Sequence, residues 1–300
     1  MKIAVTGANS SVGQNLLAHV DKSSDSDAIA GVRSERAAAS LPDSPRIDPR
    51  IISYDDVAQL AETLSGASCV VHLAGILIET KATSYANANV AATAAVVEAC
   101  KVAEVQHIVL VSVLGASPDS RNRFLRSKGE AETAVAESGI SSTIIRTPIL
   151  LGPGTAGASS LVRTALQGHT KLLGGGGYDM RPLDIDDLNR AILQACRTQL
   201  QGTSVHELVG PEPISYRELV TRFAGMMGKE VSVGTIPLWI AKLGAAVNSR
   251  LKGGGITPTV IDVITASEVV EKNADAELRI SLTPLSTTLE KIVSNQTRET

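Results

Sequence analysis

The chain has 300 residues, of which 43% are hydrophobic and 20% are charged. This balance is typical of a globular chain with a buried core and argues against extended disorder. Its 28 Lys and Arg residues against 31 Asp and Glu residues give a formal net charge of -3, so the chain as a whole is not drawn to nucleic acid or to an anionic membrane. We therefore expect a small-molecule substrate and no nucleic acid as its partner.

Short runs of β-branched residues alternate with longer helical patterns through the first half of the sequence. Such alternation is typical of βαβ units and a parallel sheet. The predicted strands lie near 2–6, 28–32, 50–53, 69–74, 106–113 and 142–147, and the predicted helices near 11–20, 56–65, 84–103 and 121–138. Right-handed crossovers between these elements predict an α/β fold with a doubly wound parallel sheet, the Rossmann fold.

The pattern becomes less regular after Pro148, where glycine-rich turns separate the helices. Four further helices and one strand are predicted, near 157–168, 186–198, 205–209 (the strand), 215–228 and 236–250. We expect a dinucleotide-binding domain at 1–155, joined by the strand and helix within 180–208. A smaller C-terminal lobe for substrate or partner is expected at 156–300.

The cysteines, the histidines and the length of the apolar runs indicate whether the chain has disulfides, a metal site or a membrane span. Cys69, Cys100 and Cys196 lie far apart within apolar stretches, which predicts reduced core residues. No histidine has a ligand-like spacing with another histidine or with a cysteine, so no metal site is expected. The first strand follows Met1 and Lys2 directly, and no apolar run approaches the ~20 residues that span a bilayer. We expect no signal peptide, no transmembrane segment and a cytoplasmic protein; a matrix or stromal address removed before residue 1 is the alternative.

A glycine-spaced turn follows the first predicted strand and opens the first predicted helix. Backbone N–H groups at a helix start, with the partial positive charge there, can hold a pyrophosphate. Gly7 permits the tight turn, and Gly13 lets the helix approach the sheet. The turn therefore predicts nucleotide binding through Gly7, Asn9, Ser10, Ser11, Val12 and Gly13.

The turn at 6–13 resembles the Thr-Gly-x-x-Gly-x-x-Gly loop of the extended and atypical short-chain dehydrogenases/reductases, with Ser10 in place of the middle glycine. Serine is small and can donate a hydrogen bond to a phosphate oxygen, so we expect the loop to remain functional. Other stretches resemble the same superfamily, namely 69–75, 89–90, 106–112, 146–148 and 180–188. The resemblance implies further cofactor contacts from Leu73, Ala74, Gly75, Val111 and Pro148.

The end of the second predicted strand indicates the cofactor, because an acidic residue there would bind the ribose hydroxyls of NAD. This chain has Arg33 and Arg36 instead, and guanidinium groups suit the extra phosphate of NADP. The alternative is that both are ordinary solvated surface charges. We expect NADP(H), with NAD(H) as the less favoured cofactor. At the family's adenine-contacting position, usually aspartate, the chain has Ser53.

The family transfers hydride with a tyrosine that lies four residues before a lysine on one helix. The matching positions here are Phe124 and Lys128. The resemblance implies that Lys128 binds the nicotinamide ribose, but Phe124 has no proton to exchange. The hydroxyl that usually supports the tyrosine aligns with Val113, and Ser112 beside it is the candidate substitute.

Within the superfamily, the segment 111–130 and the tail near 206–220 and 282–285 are most similar to one atypical branch. That branch contains the dehydrogenase-like accessory subunit of complex I and its bacterial relatives, and the similarity implies tight NADPH binding. Two functions stay open: an oxidoreductase for a small organic substrate, using Lys128 and Ser112, and a non-catalytic NADP(H)-binding protein for assembly or redox sensing. An epimerase or dehydratase for nucleotide sugars is the third choice, because that chemistry uses the missing tyrosine.

Three other features have both a structural and a functional interpretation. The predicted helix at 236–250 holds Trp239, the only tryptophan. Its apolar side could cover a substrate pocket, meet a protein partner or touch a membrane surface, and packing within the second lobe is the plainer alternative. His72 could be a satisfied buried imidazole or a cofactor contact. Asp186 is predicted to cap the helix that follows it, rather than to bind a metal.

Overall fold

Strands and helices alternate along the part of the chain that the computed structural model describes, which is residues 1–23, 25–252 and 254–299. In chain order they are β1 (Lys2–Thr6), α1 (Ser11–Lys22), β2 (Asp27–Val32), α2 (Glu35–Ala38), β3 (Ile47–Ile51), α3 (Val57–Leu64), β4 (Cys69–His72), a π-helical turn (Ala86–Ala91), α4 (Ala92–Val102), β5 (His107–Val113), α5 (Arg123–Ala136), β6 (Ser141–Thr147), β7 (Leu150–Leu151), α6 (Ala156–Gln167), β8 (His169–Leu173), a 3-10 turn (Gly174–Gly176), β9 (Asp179–Met180), β10 (Leu183–Asp184), α7 (Ile185–Thr198), β11 (Thr203–Glu207), β12 (Ile214–Ser215), α8 (Tyr216–Met226), β13 (Ser232–Ile236), α9 (Leu238–Lys252), α10 (Pro258–Ile264) and α11 (Leu285–Glu299).

A seven-stranded sheet forms the centre of the molecule, with the strand order β11-β6-β5-β4-β1-β2-β3. All neighbouring strands run parallel. The inner strands are apolar on both faces, and β5 places Ile108, Val109 and Leu110 in consecutive positions that are fully buried. Continuous apolar strands of this kind require helices on both sides of the sheet.

Helices cover both faces. On one face α1 and α7 pack together, and their Leu16, Leu17 and Leu188 share a core cluster with β1. On the other face α3, α4 and α5 form a second cluster that includes Leu60 and Val96. The predicted doubly wound α/β sheet is therefore confirmed.

The second half of the chain returns to this sheet before it completes the C-terminal part. The strand β11 joins the sheet edge beside β6, in register from Thr203 opposite Ser142. Helices α6, α8 and α11 then form a separate core with Leu161, Phe223 and Leu289 at its centre. Within the described ranges, no helix combines the length and the apolar character needed to cross a membrane.

Several local predictions differ from the structure. To the one strand predicted after Pro148 the described residues add six short strands, β7–β10, β12 and β13. The third strand spans Ile47–Ile51, not 50–53, because backbone pairing with β2 begins at Ala28 opposite Ile47 and an exposed edge strand has a weak apolar pattern. The helix cap at the start of α7 is Asp184, whose carboxylate accepts a hydrogen bond from the amide of Asp186 at 2.8 Å. Asp186 lies in the first turn of α7 and pairs with Lys291 at 2.7 Å.

Candidate functional site

The carboxyl ends of β1 and β4 meet at the glycine-spaced turn. Gly7 has a φ of +75°, and a Cβ there would lie 2.9 Å from the backbone nitrogen of Ala74. A Cβ on Gly13 would lie 2.5 Å from the carbonyl oxygen of Ala8. Contacts this short have no room for a side chain, so both positions require glycine.

Ser10 caps α1. Its Oγ accepts a hydrogen bond from the amide of Gly13 at 3.0 Å, while its hydroxyl hydrogen remains available to donate elsewhere. The amides of Ser11 and Val12 lie in the first turn of α1, where helix geometry supplies no carbonyl partner. Asn9 is exposed beside them. The turn thus presents donors at a helix N-terminus, and this arrangement fits a phosphate group.

The two candidate phosphate-binding arginines are exposed at the end of β2. Arg33 follows the strand directly, and Arg36 lies in the short helix α2. Arg33 is also close enough to the phenol of Tyr54 to oppose the rise in the pKa of that group, which is caused mainly by burial. Ser53 is held in a local turn, where its Oγ accepts from the amide of Asp55 at 3.2 Å.

Lys128 is buried on α5, and its Nζ donates to the carbonyl oxygen of Val111 at 3.0 Å. A Cβ on Gly75 would lie 4.0 Å from the same Nζ. Burial lowers the pKa of Lys128 from 10.5 to about 8, against the opposing effect of Glu132. The fold therefore brings together three of the predicted site residues, Lys128, Val111 and Gly75, around one ammonium group.

Asn89 lies beside Gly75 and Ser127, close to Lys128. In the sequence it belongs to one of the stretches that resemble the superfamily. Its side chain accepts from the amide of Ile76 at 2.8 Å and donates to the Ser127 hydroxyl at 2.9 Å. Asn89 is buried within the π-helical turn, a rare backbone form that often marks functional sites. Beyond the family resemblance at 89–90, nothing in the sequence indicates this role.

Phe124 makes an apolar wall where the family has a phenol. It is buried, and its ring lies 5.7 Å from that of Tyr85 at an interplanar angle of 56°. The Tyr85 hydroxyl donates to the carbonyl of Leu77 at 2.8 Å. The backbone carbonyl of Phe124 accepts from the Ser127 hydroxyl at 2.8 Å, so α5 keeps its geometry without the tyrosine.

Ser112 is buried on β5, and among the described residues its Oγ has no hydrogen-bond partner. Its carbonyl accepts from the Thr147 hydroxyl at 3.3 Å. A buried hydroxyl without a partner is uncommon in folded proteins and is expected to acquire one. Leu73 and Pro148 lie at the exits of β4 and β6, half-buried beside this edge of the sheet.

His72 is a buried residue with a hydrogen-bond partner at each ring nitrogen. Its Nδ1 lies 2.6 Å from the Thr6 hydroxyl and its Nε2 lies 3.1 Å from the Thr93 hydroxyl. Burial, with a smaller effect of Lys128, lowers the pKa of His72 to about 3. The imidazole is therefore neutral at physiological pH, and both of its nitrogens are occupied.

The fold and this sheet edge define a class, the Rossmann-type nucleotide-binding proteins. A family model described as NAD(P)H-binding matches residues 7–175. The chain belongs to this NAD(P)H-binding family, and its resemblance to the extended short-chain dehydrogenases/reductases is confirmed.

The chain is similar to three proteins of known name. The chain is 30% identical over 207 residues to an Arabidopsis thaliana protein named mitochondrial NADH dehydrogenase [ubiquinone] 1 alpha subcomplex subunit 9, covering 67% of this chain and 50% of that protein. It is 24% identical over 273 residues to a Stigmatella aurantiaca ketoreductase of a farnesyl-dihydroquinoline-oxide, covering 84% and 80%. The structure of a Bacillus cereus UDP-glucuronic acid 4-epimerase with NAD superposes with a TM-score of 0.76 at 19% identity, over 100% of both chains. The chain spans half the length of the plant relative.

Proposed function

We propose that the protein binds NADP(H) at this sheet edge and reduces the carbonyl or quinone group of a small, largely apolar organic molecule. The observation that carries the proposal is Lys128, a buried ammonium that donates to the carbonyl of Val111 and lies near Gly75. The Stigmatella relative, named as a ketoreductase for a farnesylated ring, supports the reductase chemistry and the apolar substrate class.

The residues for the cofactor are divided along the sheet edge. The amides of the turn and the Ser10 hydroxyl would hold the pyrophosphate, and Arg33 would bind the additional phosphate of NADP(H). Asn9, Arg36 and Ser53 complete this proposed half of the site. Leu73, Ala74, Gly75, Val111 and Pro148 would line the remainder.

When bound, a nicotinamide cofactor supplies a hydride to an acceptor. Reduction of a carbonyl also requires a proton at its oxygen, and Phe124 cannot provide one. Lys128 can, because a pKa of about 8 leaves its Nζ protonated near neutral pH but able to release the proton. Ser112 on β5, whose Oγ has no hydrogen-bond partner among the described residues, is the second candidate group for transferring this proton.

A non-catalytic role in holding NADP(H) is the second candidate, favoured by the burial of Phe124 against Tyr85 in place of a phenol. The relationship to a complex I subunit fits such a role, with a protein complex as partner. Epimerase or dehydratase chemistry on a nucleotide sugar ranks third, because Phe124 lacks the phenol which that chemistry needs.

The test combines binding with turnover. NADPH affinity is measured by calorimetry, and NADPH oxidation is followed with a panel of apolar ketones, aldehydes and quinones. Tight binding with turnover that Lys128→Met removes and exposed Lys22→Met retains supports the reductase. Tight binding without turnover across the panel supports the second candidate, and the absence of nucleotide binding would overturn both.

A further inference from the structure

The outward face of α9 is apolar. Five large apolar side chains on this helix are between 45% and 80% exposed: Trp239, Ile240, Leu243, Val247 and Leu251. All except Ile240 follow one another at intervals of four residues, so they form a stripe along one face of the helix. On the opposite side Ala241, Ala245 and Ser249 are half-buried, and the helix contacts α10. A row of large apolar groups in water is characteristic of an interaction surface.

The charges on α9 are cationic. The helix sequence contains no aspartate or glutamate, and Lys242 is paired with Asp262 of α10 at 2.5 Å. Arg250 is exposed. It directly precedes Leu251, and at about 3.6 residues per turn it lies about 100° around the helix from that residue. A positive charge therefore flanks the C-terminal end of the apolar stripe.

The stripe leads towards the candidate site. The amide of Gly255, just beyond α9, donates to the carbonyl of Glu79 at 3.2 Å. Glu79 belongs to the loop between Gly75 and Tyr85, in which Leu77 and Ile78 are also exposed. The apolar surface thus adjoins the loop 75–85. One end of this loop, Gly75, lies near Lys128, and the other, Tyr85, contacts Phe124.

We propose that α9 docks on the surface of an anionic lipid membrane, with the stripe among the acyl chains and Arg250 at the headgroup phosphates. Interfacial helices combine apolar insertion with cationic side chains in this way, and an indole prefers the interface because it is both apolar and a hydrogen-bond donor. A second copy of the chain fits the face less well, since α9 offers no acidic residue to pair with Arg250 of the other copy. This proposal stands apart from the proposed function and does not depend on it.

Trp239 allows a direct test because it is the only tryptophan of the chain. The protein is mixed with vesicles of phosphatidylcholine containing phosphatidylglycerol, and its fluorescence and co-sedimentation are recorded. We expect emission to shift to shorter wavelength and the protein to sediment with the vesicles. Leu243→Ser should lower the partition coefficient about tenfold, and Arg250→Gln about fivefold, the latter only on the anionic vesicles.

The matched control is Leu166→Ser on α6, because Leu166 and Leu243 are 62% and 61% exposed. Leu166→Ser should bind vesicles as the native protein does, and circular dichroism checks that both serine variants fold. The proposal is overturned if the native protein leaves the anionic vesicles unbound, or if the two serine variants lose binding equally. It is also overturned if α9 instead mediates a dimer in sedimentation velocity that Leu243→Ser dissociates.

Discussion

The two ends of the candidate site are built in different ways. The phosphate end is made of backbone: Gly7 and Gly13 lie where any Cβ would collide with neighbouring main-chain atoms, and the donors are helix-start amides. The proposed catalytic end is made of side chains, with Lys128 in place and Phe124 where a phenol is expected. A site whose donors are backbone amides tolerates a change such as serine in place of the family's glycine at Ser10, because the serine hydroxyl becomes part of the helix cap. A site built from side chains loses a chemical group with a single substitution, as the phenol is lost at Phe124.

The largest effect should come from the phosphate end. Gly13→Leu is expected to abolish nucleotide binding and to destabilise the fold by about 1–3 kcal/mol, because the side chain would have to displace the backbone at Ala8. Calorimetry and thermal unfolding measure the two effects. The control is Gly225→Ala on α8, where a Cβ meets open space, and a stabilisation of about 0.5–1 kcal/mol is expected. Retained affinity in a folded Gly13→Leu protein would show that the phosphate site lies elsewhere.

At the catalytic end, Lys128→Met should lower turnover about a hundredfold. Native turnover in the reductive direction should decline as pH rises through about 8, because only the ammonium form of Lys128 can donate a proton. In Lys128→Met this decline should disappear from the pH profile. A native profile that stays flat across that range would exclude Lys128 as the proton donor.

Between the two ends lies the choice of cofactor. Arg33 is expected to favour NADPH over NADH by about tenfold to a hundredfold, the effect of one charge-assisted contact to the additional phosphate. Arg33→Asp should remove this preference, and Arg36→Asp should reduce it less because Arg36 lies further along α2. Titration of both cofactors into the three proteins decides the matter. Equal affinities in the native protein would contradict the assignment of NADP(H).

The smallest effect concerns stability. Because burial lowers the pKa of Lys128 to about 8, the unfolded state binds more protons than the native state above that pH. Native stability should therefore rise relative to Lys128→Met as pH increases from about 8 towards 10.5, by about 1 kcal/mol over the first pH unit. Denaturant unfolding of both proteins gives the difference. An unchanged difference would mean that Lys128 is solvated in the native state.

The sequence predicts the parts of the fold that depend on strong local patterns. The apolar inner strands and the glycine-spaced turn are found where their residues indicate them. The third strand was displaced, because pairing with β2 rather than its own composition decides where β3 begins. The cap of α7 was also misplaced, since both Asp184 and Asp186 are suitable residues and only the backbone geometry distinguishes them.

The site was less accessible from sequence than the fold. The spacing of Phe124 and Lys128 identified the helix, but the partners of Lys128 come from β5 and the loop after β4 and depend on tertiary contacts. The role of Asn89 depends on a π-helical turn that the sequence of this segment does not predict. The exposure of the α9 stripe likewise follows from how the helix packs on α10, not from its composition.

The central claim is that the site retains the arrangement for hydride transfer and lacks one phenol. Restoring it with Phe124→Tyr tests this most directly, because the new hydroxyl would lie one helical turn from Lys128 on the same face of α5. Single-turnover oxidation of bound NADPH should become faster in Phe124→Tyr than in the native protein, with NADPH affinity unchanged. A rate that responds to neither Phe124→Tyr nor Lys128→Met would contradict the account, because it would place the chemistry away from this helix.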